Sequence, residues 1–192
     1  EGFPIGAMRS HVDDRTPDGQ TIFSRDCPEF EITTPDGTRL IVMVNHLKSK
    51  GYGGRAAADA RRRIQAERVA EIYKGLAAEG VEHVAIVGDF NDTPDSEPLA
   101  PLLRGTDLKD VFKHEAFDDG GYPGTYGLSN GSNKIDYILL SPALWARVEK
   151  GGVDRRGMWP GSRPKRWETF AEVERPRDAA SDHAALWVDL SI

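Results

Sequence analysis

Four short segments place polar side chains at the ends of apolar, strand-like runs, a pattern suited to metal and phosphate chemistry. They are Asn45-His46, Asp89-Phe90-Asn91, Lys134 with Asp136, and Asp182-His183. Strands that lie side by side in a sheet bring their ends together, and rigid strands hold side chains accurately. We therefore expect these residues to form one site at an edge of a sheet.

His46 directly follows the apolar run 41–44 and is suited to donating a proton to a leaving oxygen or to holding a phosphate oxygen. Taken alone, the segment favours the alternative, a strand-end histidine that is hydrogen-bonded to a loop. Lys48 and Lys50 follow in the same segment and suit contact with phosphates, although single lysines are usually solvated. The segment alone leaves both interpretations open.

The segment Gly88-Asp89-Phe90-Asn91-Asp92 follows another apolar strand. In an extended chain, residues two apart face the same side, so Asp89 and Asn91 would point together. The carboxylate is then suited to activating water and the carboxamide to orienting the phosphate. The alternative is an Asx-type turn, in which these side chains bond only to their own backbone.

Asp136 lies inside an otherwise apolar strand, where an unpaired carboxylate is costly. It therefore needs a histidine or a metal as its partner, unless the strand is at an edge and the residue faces solvent. Asp182 is suited to binding a hard cation, and His183 to contacting phosphate with its tautomer fixed by a carboxylate. A loop cap with an incidental histidine is the alternative for this pair.

Two cationic segments are ambiguous. Arg61-Arg62-Arg63 suits a solvated helix face paired with Asp59 and Glu67. The irregular segment 151–180 mixes cations and aromatic rings, as nucleic-acid surfaces do, although three glutamates dilute the signal. Its residues of interest are Arg155, Arg156, Arg163, Lys165, Arg166, Trp159 and Trp167, with Glu168, Glu172 and Glu174 among them.

Strand-like and helix-like segments alternate along the chain, which favours a mixed α and β layer architecture. Strands are predicted at 21–24, 30–33, 39–45, 83–87, 135–140 and 184–192, with Pro35-Asp36-Gly37 as a hairpin turn. The spacing of apolar residues predicts one long helix over 56–78, ending at Gly80, and a short helix over 97–104.

Bulk composition bounds the protein class. The 192 residues are 39% hydrophobic and 29% charged, enough for one globular domain with a core. The net charge of −6 does not indicate a nucleic-acid binder by itself, although bound cations can reverse the local field. The one cysteine excludes an internal disulfide framework, and no apolar run is long enough to span a membrane. The chain starts without Met, so we expect the natural N-terminus to lie upstream.

The order of the blocks is more specific than any one of them. Asn-His, then Gly-Asp-Phe-Asn, then Ile-Asp-Tyr-Ile, then Ser-Asp-His resembles the endonuclease/exonuclease/phosphatase superfamily, from about Ile22 to Ile192. The His-Leu-Lys-Ser-Lys-Gly form of the first block resembles bacterial nucleases most. The resemblance implies a four-layer α/β/β/α sandwich of the deoxyribonuclease I type.

The resemblance also implies roles for individual residues. His46 matches the first active-site histidine, Asp89 the carboxylate that activates water, and Asn91 the amide that orients the phosphate. Asp136 matches the partner of the second histidine, His183, which contacts the scissile phosphate. Asp182 matches a metal ligand. The block Thr125-Tyr126 matches residues that line the cleft, and we count Asn45, Lys48, Thr125, Tyr126 and Lys134 as candidate substrate contacts.

The chain departs from the family pattern at its start. The family's first Asn, its metal-binding Glu and the carboxylate that orients the first histidine would lie upstream of Glu1. We therefore expect residues 1–192 to be a single domain that forms the C-terminal two-thirds of the complete one. Mg²⁺, or Mn²⁺ or Ca²⁺ in its place, would be bound poorly by Asp182 and water alone, so weak or no catalysis is expected of the fragment.

The expected function is hydrolysis of a phosphoester by in-line attack of water, with nucleic acid as the favoured substrate. Phospholipid headgroups and inositol phosphates are alternatives within the superfamily. A calcineurin-like metallophosphatase is disfavoured because its Asn-His block should follow its Gly-Asp block. A non-catalytic phosphate-binding module is the remaining alternative. We expect a monomer, and the compartment stays open between a bacterial cytoplasm and secretion.

Overall fold

A computed structural model of the chain describes residues 3–51, 53–162 and 165–192. Its strands are β1 (Ile5–Arg9), β2 (Glu29–Thr33), β3 (Arg39–His46), β4 (His83–Asp89), β5 (Lys109–Asp110), β6 (Phe117–Asp118), β7 (Asp136–Leu140), β8 (Val148–Asp154) and β9 (Ala185–Leu190). Its α-helices are α1 (Arg55–Ala78), α2 (Ala100–Leu103) and α3 (Pro142–Trp145).

Six strands form one sheet in the order β1-β2-β3-β4-β7-β5. The hairpin predicted around the Pro35-Asp36-Gly37 turn joins β2 to β3, with Phe30 opposite Val42. β3 and β4 run parallel and are connected by α1, whereas β4 and β7 are antiparallel. The mixed pairing places the end of β3, the end of β4 and the start of β7 at one edge of the sheet.

Alternation along the strands gives the six-stranded sheet two apolar faces. Met43, Ile86 and Leu139 lie on one face and pack with the buried stripe of α1. The opposite face carries residues such as Leu40 and Ile138, which pack against the second sheet. A carboxylate or imidazole on this second face is therefore held between two rigid layers.

The second sheet has the order β6-β8-β9 and covers the β4–β7 end of the first. Leu186, Val188 and Leu190 alternate along β9, as the sequence predicted, and join the core between the sheets. The mixed α/β class with two packed sheets is confirmed. Within the described ranges, α1 is the one helix longer than a single turn.

The helix α1 confirms the prediction to within one residue at its start. Val69, Ile72, Tyr73 and Leu76 form its buried stripe. The helix ends where Gly80 adopts a φ of 82°, and Val81 N donates to Leu76 O at 3.0 Å. This left-handed glycine satisfies the last carbonyl groups of the helix.

The structure departs from the predicted elements in short or glycine-rich segments, and the short strands β5 and β6 and the helix α3 were also not predicted. No strand forms at 21–24, where the chain lies beneath α1 and only Thr21 bridges to Arg15. β1 was missed, and the helix predicted over 97–104 shortens to α2, because Pro98 and Pro101 restrict the preceding backbone. The segment predicted as irregular from Gly151 begins inside β8.

Gly151 and Gly152 explain the missed strand. A Cβ on Gly151 would lie 2.7 Å from Cδ2 of Phe117, and one on Gly152 would lie 3.2 Å from the Trp187 ring. Because Phe117 and Trp187 lie so close to the β8 backbone, glycine is required at both positions. Glycine lowers strand propensity, so the sequence did not indicate a strand there.

Among the residues that the structure describes, no helix combines the length and the apolar character needed to cross a membrane.

Gly88 is the residue at which β3 and β4 approach most closely at the site. Its φ is 130°, and a Cβ there would collide with the Asn45 carbonyl oxygen. We predict that Gly88→Ala lowers the free energy of unfolding by at least ~3 kcal/mol, measured by urea denaturation. Gly75→Ala is the matched control, because Gly75 lies in α1 with open space around it, and it should raise stability by ~1 kcal/mol. Equal stability of Gly88→Ala and the wild type would contradict this role.

Candidate active site

Three of the predicted residues lie in one row across three neighbouring strands. His46 on β3 pairs with Asp89 on β4, and Asp89 pairs with Asp136 on β7. Nε2 of His46 lies 3.5 Å from Oδ2 of Asp89. Strand alternation places all three side chains on the face that meets the second sheet. The register of the sheet thus assembles this row without any help from loops.

The segment before β9 brings His183 to the same row. Nδ1 of His183 lies 3.1 Å and 3.0 Å from the two carboxylate oxygens of Asp136. Thr125 is fully buried and donates to Oδ2 of Asp136 at 2.6 Å, while its hydroxyl accepts from the backbone N–H of Asp136 at 3.0 Å. The carboxylate fixes Nδ1 of the imidazole, which leaves Nε2 as the ring nitrogen for another partner.

Asn91 reaches the site by a route different from the one predicted. The strand ends at Asp89, and Asn91 adopts a left-handed φ of 56°. Its backbone N–H donates to Oδ1 of Asp89 at 2.8 Å, which is an Asx-type turn. Its Nδ2 donates to Oδ2 of Asp89 at 2.9 Å and to Leu47 O at 3.0 Å. Asn91 therefore joins Asp89 through a turn, and its Oδ1 atom is left for a further contact.

Burial and the neighbouring charges shift the pKa values of Asp89 and His46 in the row. Burial raises the pKa of Asp89, and the negative charge of Asp136 adds to this effect, against the lowering by the Asn91 N–H and the two histidines. Burial also lowers the pKa of His46, and Arg25 and His183 lower it further, while Asp89 and Asp136 oppose the change. A carboxyl group with a raised pKa is better suited to accepting a proton than an ordinary aspartate.

Asp89, Asp136 and His183 present ligand atoms that all lie within 4.8 Å of one another, the spacing of a possible metal centre. Two carboxylates and an imidazole fit a divalent cation such as Mn²⁺, and carboxylates fit Mg²⁺. The exposed Asp182, the predicted metal ligand, is outside this cluster, and its carbonyl accepts from Gly127 N at 2.8 Å.

Three of the predicted substrate contacts, Asn45, Thr125 and Lys134, are buried in the protein and do not face a substrate. Nζ of Lys134 lies 3.0 Å from Oδ2 of Asp110 and donates to Asp136 O at 2.7 Å, and burial lowers its pKa to about 8. Thr125 holds Asp136. Asn45 points to the α1 side of the sheet, where its carboxamide has no hydrogen-bond partner among the described groups. Thr125 and Lys134 therefore hold Asp136 in place, whereas Asn45 lies on the opposite face of the sheet from the row.

The other two, Lys48 and Tyr126, remain at the surface of the site. Lys48 lines a cavity of 270 Å³ beside His46, together with Arg25, a cation that the sequence analysis missed. Arg25 is exposed and makes no ion pair with another residue that the structure describes. The signal was its position directly after the segment 21–24, for which a strand was predicted. The Tyr126 ring lies 4.9 Å from the His183 ring.

Arg62 is the largest departure from the sequence interpretation, because the predicted solvated arginine is fully buried. Its guanidinium lies 2.7 Å from Oδ2 of Asp92, contacts Asp59 and donates to Lys48 O at 2.6 Å. Gln65, one turn further along α1, accepts from Lys48 N at 2.7 Å. The helix therefore fixes both loops that follow the strands carrying His46 and Asp89.

Arg155, one of the cations in the ambiguous segment 151–180, is buried too. It donates to Ser129 Oγ at 3.0 Å and to the carbonyl oxygens of Asp119, Tyr122 and Gly124 at 2.7, 2.5 and 2.8 Å. It thus holds the loop that carries Thr125 and Tyr126. Of the other cations predicted there, Arg163 lies outside the described residues, and Arg156 is paired with Asp154.

We predict that Arg62→Ala lowers the free energy of unfolding by ~3–5 kcal/mol in urea denaturation, because it leaves the buried Asp92 carboxylate with less compensation. Arg63→Ala, which removes a neighbouring exposed arginine paired with Glu67, should change stability by less than ~1 kcal/mol. Similar losses in the two variants would show that Arg62 does not have this role.

We predict that the His46 imidazole titrates below its ordinary value of 6.5 in metal-free protein, as followed by NMR. Asp89→Asn should lower this pKa further, because it removes a charge that favours the imidazolium. Asp118→Asn, at an exposed position on β6, is the control and should leave the His46 pKa unchanged.

Because the pKa of His46 is lower in the folded state than in the unfolded chain, the contribution of His46 to stability is present above pH 6.5 and is lost as the pH falls. Titration at or above 6.5 would contradict the prediction.

Comparison with known proteins places this geometry in a family. The family profile described as Endonuclease/Exonuclease/phosphatase family matches residues 3–183. No curated protein matches the chain.

Similar solved structures share the fold at low identity. A mannosyl-6-phosphatase from Bacteroides thetaiotaomicron is 21% identical with a TM-score of 0.69, and the match covers 99% of this chain and 67% of that one. An endonuclease/exonuclease/phosphatase family protein from the same organism is 21% identical with a TM-score of 0.61, over 79% and 54%. A variant of the 3′ phosphatase NExo from Neisseria, bound to a product DNA hairpin, is 15% identical with a TM-score of 0.56, over 99% and 72%.

The match to the endonuclease/exonuclease/phosphatase family protein from Bacteroides thetaiotaomicron spans little more than half of that protein's length. The profile nevertheless covers nearly the whole chain, including all four polar blocks. This chain belongs to the endonuclease/exonuclease/phosphatase family.

Proposed function

We propose that the protein is a divalent-cation-dependent phosphoester hydrolase, and that its substrate is a phosphodiester of nucleic acid. The observation that carries the proposal is the row of His46, Asp89 and Asp136 with His183 bonded to its end. Members of the family include phosphatases, and one similar structure is bound to DNA. Asp89 can accept a proton and His46 can donate one to a leaving oxygen. His183, fixed by Asp136, can contact a phosphoryl oxygen.

Asp89 is the proposed general base for the attacking water. It is largely buried, its pKa is raised, and the Asn91 amide groups hold both of its oxygens in place. A base that is fixed by two hydrogen bonds needs little reorganisation when it accepts the proton. The remaining oxygen of the Asn91 carboxamide is suited to orienting the water.

His183 is the proposed contact for the phosphoryl oxygen. The Asp136 carboxylate binds Nδ1 and orients the ring, so Nε2 is the ring nitrogen that is presented to the phosphate. A hydrogen bond from this fixed position would lower the barrier by stabilising charge that develops on the phosphate.

His46 is the proposed proton donor to the leaving oxygen. It lies at the exposed end of the row, and its contact with Asp89 opposes the burial that lowers its pKa, so the proton is held weakly enough to be donated. Arg25 and Lys48 beside it place positive charge where further phosphates of a polymer would lie. This arrangement is our reason to favour nucleic acid over a single phosphorylated headgroup or an inositol phosphate.

A divalent cation, held by carboxylates of the row, would supply Lewis-acid stabilisation of the phosphoryl oxygens. We propose that Asp182 belongs to a wider ligand set that the upstream part of the domain completes. That residues 1–192 form the C-terminal two-thirds of one domain is likewise a proposal. The coverage of only 54% and 67% of two similar structures supports it.

In the protein that carries this chain, we predict that Asp89→Asn and His183→Ala each lower kcat for hydrolysis of a DNA phosphodiester by about 10³-fold or more. Chelation with EDTA should abolish turnover, and Mg²⁺ or Mn²⁺ should restore it. Asp18→Asn, in an exposed loop, is the matched control and should leave turnover unchanged. Near-normal turnover of either site variant would refute the mechanism. Absence of cation-dependent turnover in the wild type would favour the non-catalytic alternative.

A further inference from the structure

A second cavity, of 340 Å³, opens next to the candidate active site. Its large apolar lining residues are Leu128, Met158, Trp159 and Pro176, and Asp182 also lines it. This volume lies within the range of small-ligand sites, which are typically apolar with a few polar groups at one side. Part of its lining comes from the segment 151–180, which the sequence predicted to be irregular, and part from the loop that carries Gly127 and Leu128.

The cavity is continuous with the phosphate end of the site. Tyr126 forms a backbone bridge with His183, and Gly127 N donates to Asp182 O at 2.8 Å. The next residue, Leu128, lines the cavity. Tyr126, whose ring lies beside that of His183, and Leu128, in the cavity wall, are each 38% exposed, so both present apolar surface between the phosphate end and the cavity. A group attached to a phosphate at His183 would be directed along this surface.

The wall of the cavity is pre-organised. Gly127 and Ser129 adopt left-handed φ values of 57° and 53° on either side of Leu128. The four hydrogen bonds of the buried Arg155 hold this loop, including one to Ser129 Oγ. A strained backbone that is held by a buried arginine is unusual for a loop without a role. A rigid wall also lowers the entropic cost of binding a ligand.

We propose that this cavity binds the base of a nucleotide whose phosphate lies at His183. The proposal rests on the proposed function and narrows it to a nucleotide substrate. A flat ring stacks well between an aromatic face and aliphatic side chains, as Trp159, Leu128 and Met158 provide. A quaternary ammonium headgroup is instead recognised by a cage of several aromatic rings, and Trp159 is the one aromatic residue in the described lining.

The test is calorimetric titration of the protein, with Mg²⁺ present, using thymidine 5′-monophosphate, 2-deoxyribose 5-phosphate and phosphocholine. Since stacking strengthens binding, thymidine 5′-monophosphate should bind about 10-fold or more tightly than 2-deoxyribose 5-phosphate. Trp159→Ala should bring the two affinities to within about 2-fold of each other by weakening only the nucleotide. If Trp159→Ala fails to fold, Leu128→Ala can be used instead, because Leu128 is partly exposed. It should reduce the preference for the nucleotide to a smaller extent.

Trp187→Ala is the matched control, because Trp187 is 38% exposed on β9 and lies outside the cavity lining. It should preserve the preference for the nucleotide. Equal affinities in the wild type, or a preference that survives both cavity variants, would overturn the base subsite. Tighter, Trp159-dependent binding of phosphocholine would overturn it as well.

The outcomes separate this proposal from the one on which it rests. If both sugar phosphates bind equally and His183→Ala weakens both, the phosphate site stands and the base subsite falls. If neither ligand binds, both proposals fail. A preference that is lost in Trp159→Ala but kept in Trp187→Ala supports the subsite.

Discussion

At the edge where β3 and β4 end, the register that pairs His46 with Asp89 also pairs Asp89 with Asp136. Parallel pairing of β3 with β4, and antiparallel pairing of β4 with β7, place three ionisable side chains on one face. A shift by one residue in either pairing would send one of them to the α1 side. Gly88 makes this close pairing possible, because no other residue fits against the Asn45 carbonyl. His183, Asn91 and the proposed cation all depend on this row.

Buried charges hold the loops around the row. Arg62 joins α1 to the loops after β3 and β4, and Lys134 joins the start of β7 to Asp110. Burial alone would raise the pKa of Asp92, yet the hydrogen bond from Lys50, the Thr93 N–H and the charge of Arg62 together lower it. Desolvation makes such pairs poor sources of net stability, but breaking one leaves an uncompensated charge. They therefore favour a single arrangement of the loops.

The site combines opposite electrostatic requirements within a few ångströms. The raised pKa of Asp89 suits proton acceptance, whereas the Asp136 carboxylate is engaged by the His183 ring and the Thr125 hydroxyl. Carboxylates at this spacing repel one another, and a divalent cation would offset the repulsion. The cations Arg25 and Lys48 lie on the His46 side, and the apolar cavity lies on the Asp182 side. A substrate with a polyanionic backbone on one side and a flat ring on the other matches this division.

The sequence by itself determined the polar blocks, their order, the long helix α1 and the core strands. These depend on local periodicity and on residue types that are costly to bury without a partner, as Asp136 shows. Only the tertiary structure decided that Arg62, Arg155 and Lys134 are buried, because a cation on an apparently polar segment becomes a core residue only when carbonyls and carboxylates from distant segments converge on it. The same holds for β1 and β8, whose pairing comes from strands far along the chain. The cavity beside Asp182 likewise exists only because the loops around Leu128, Trp159 and Pro176 meet in space.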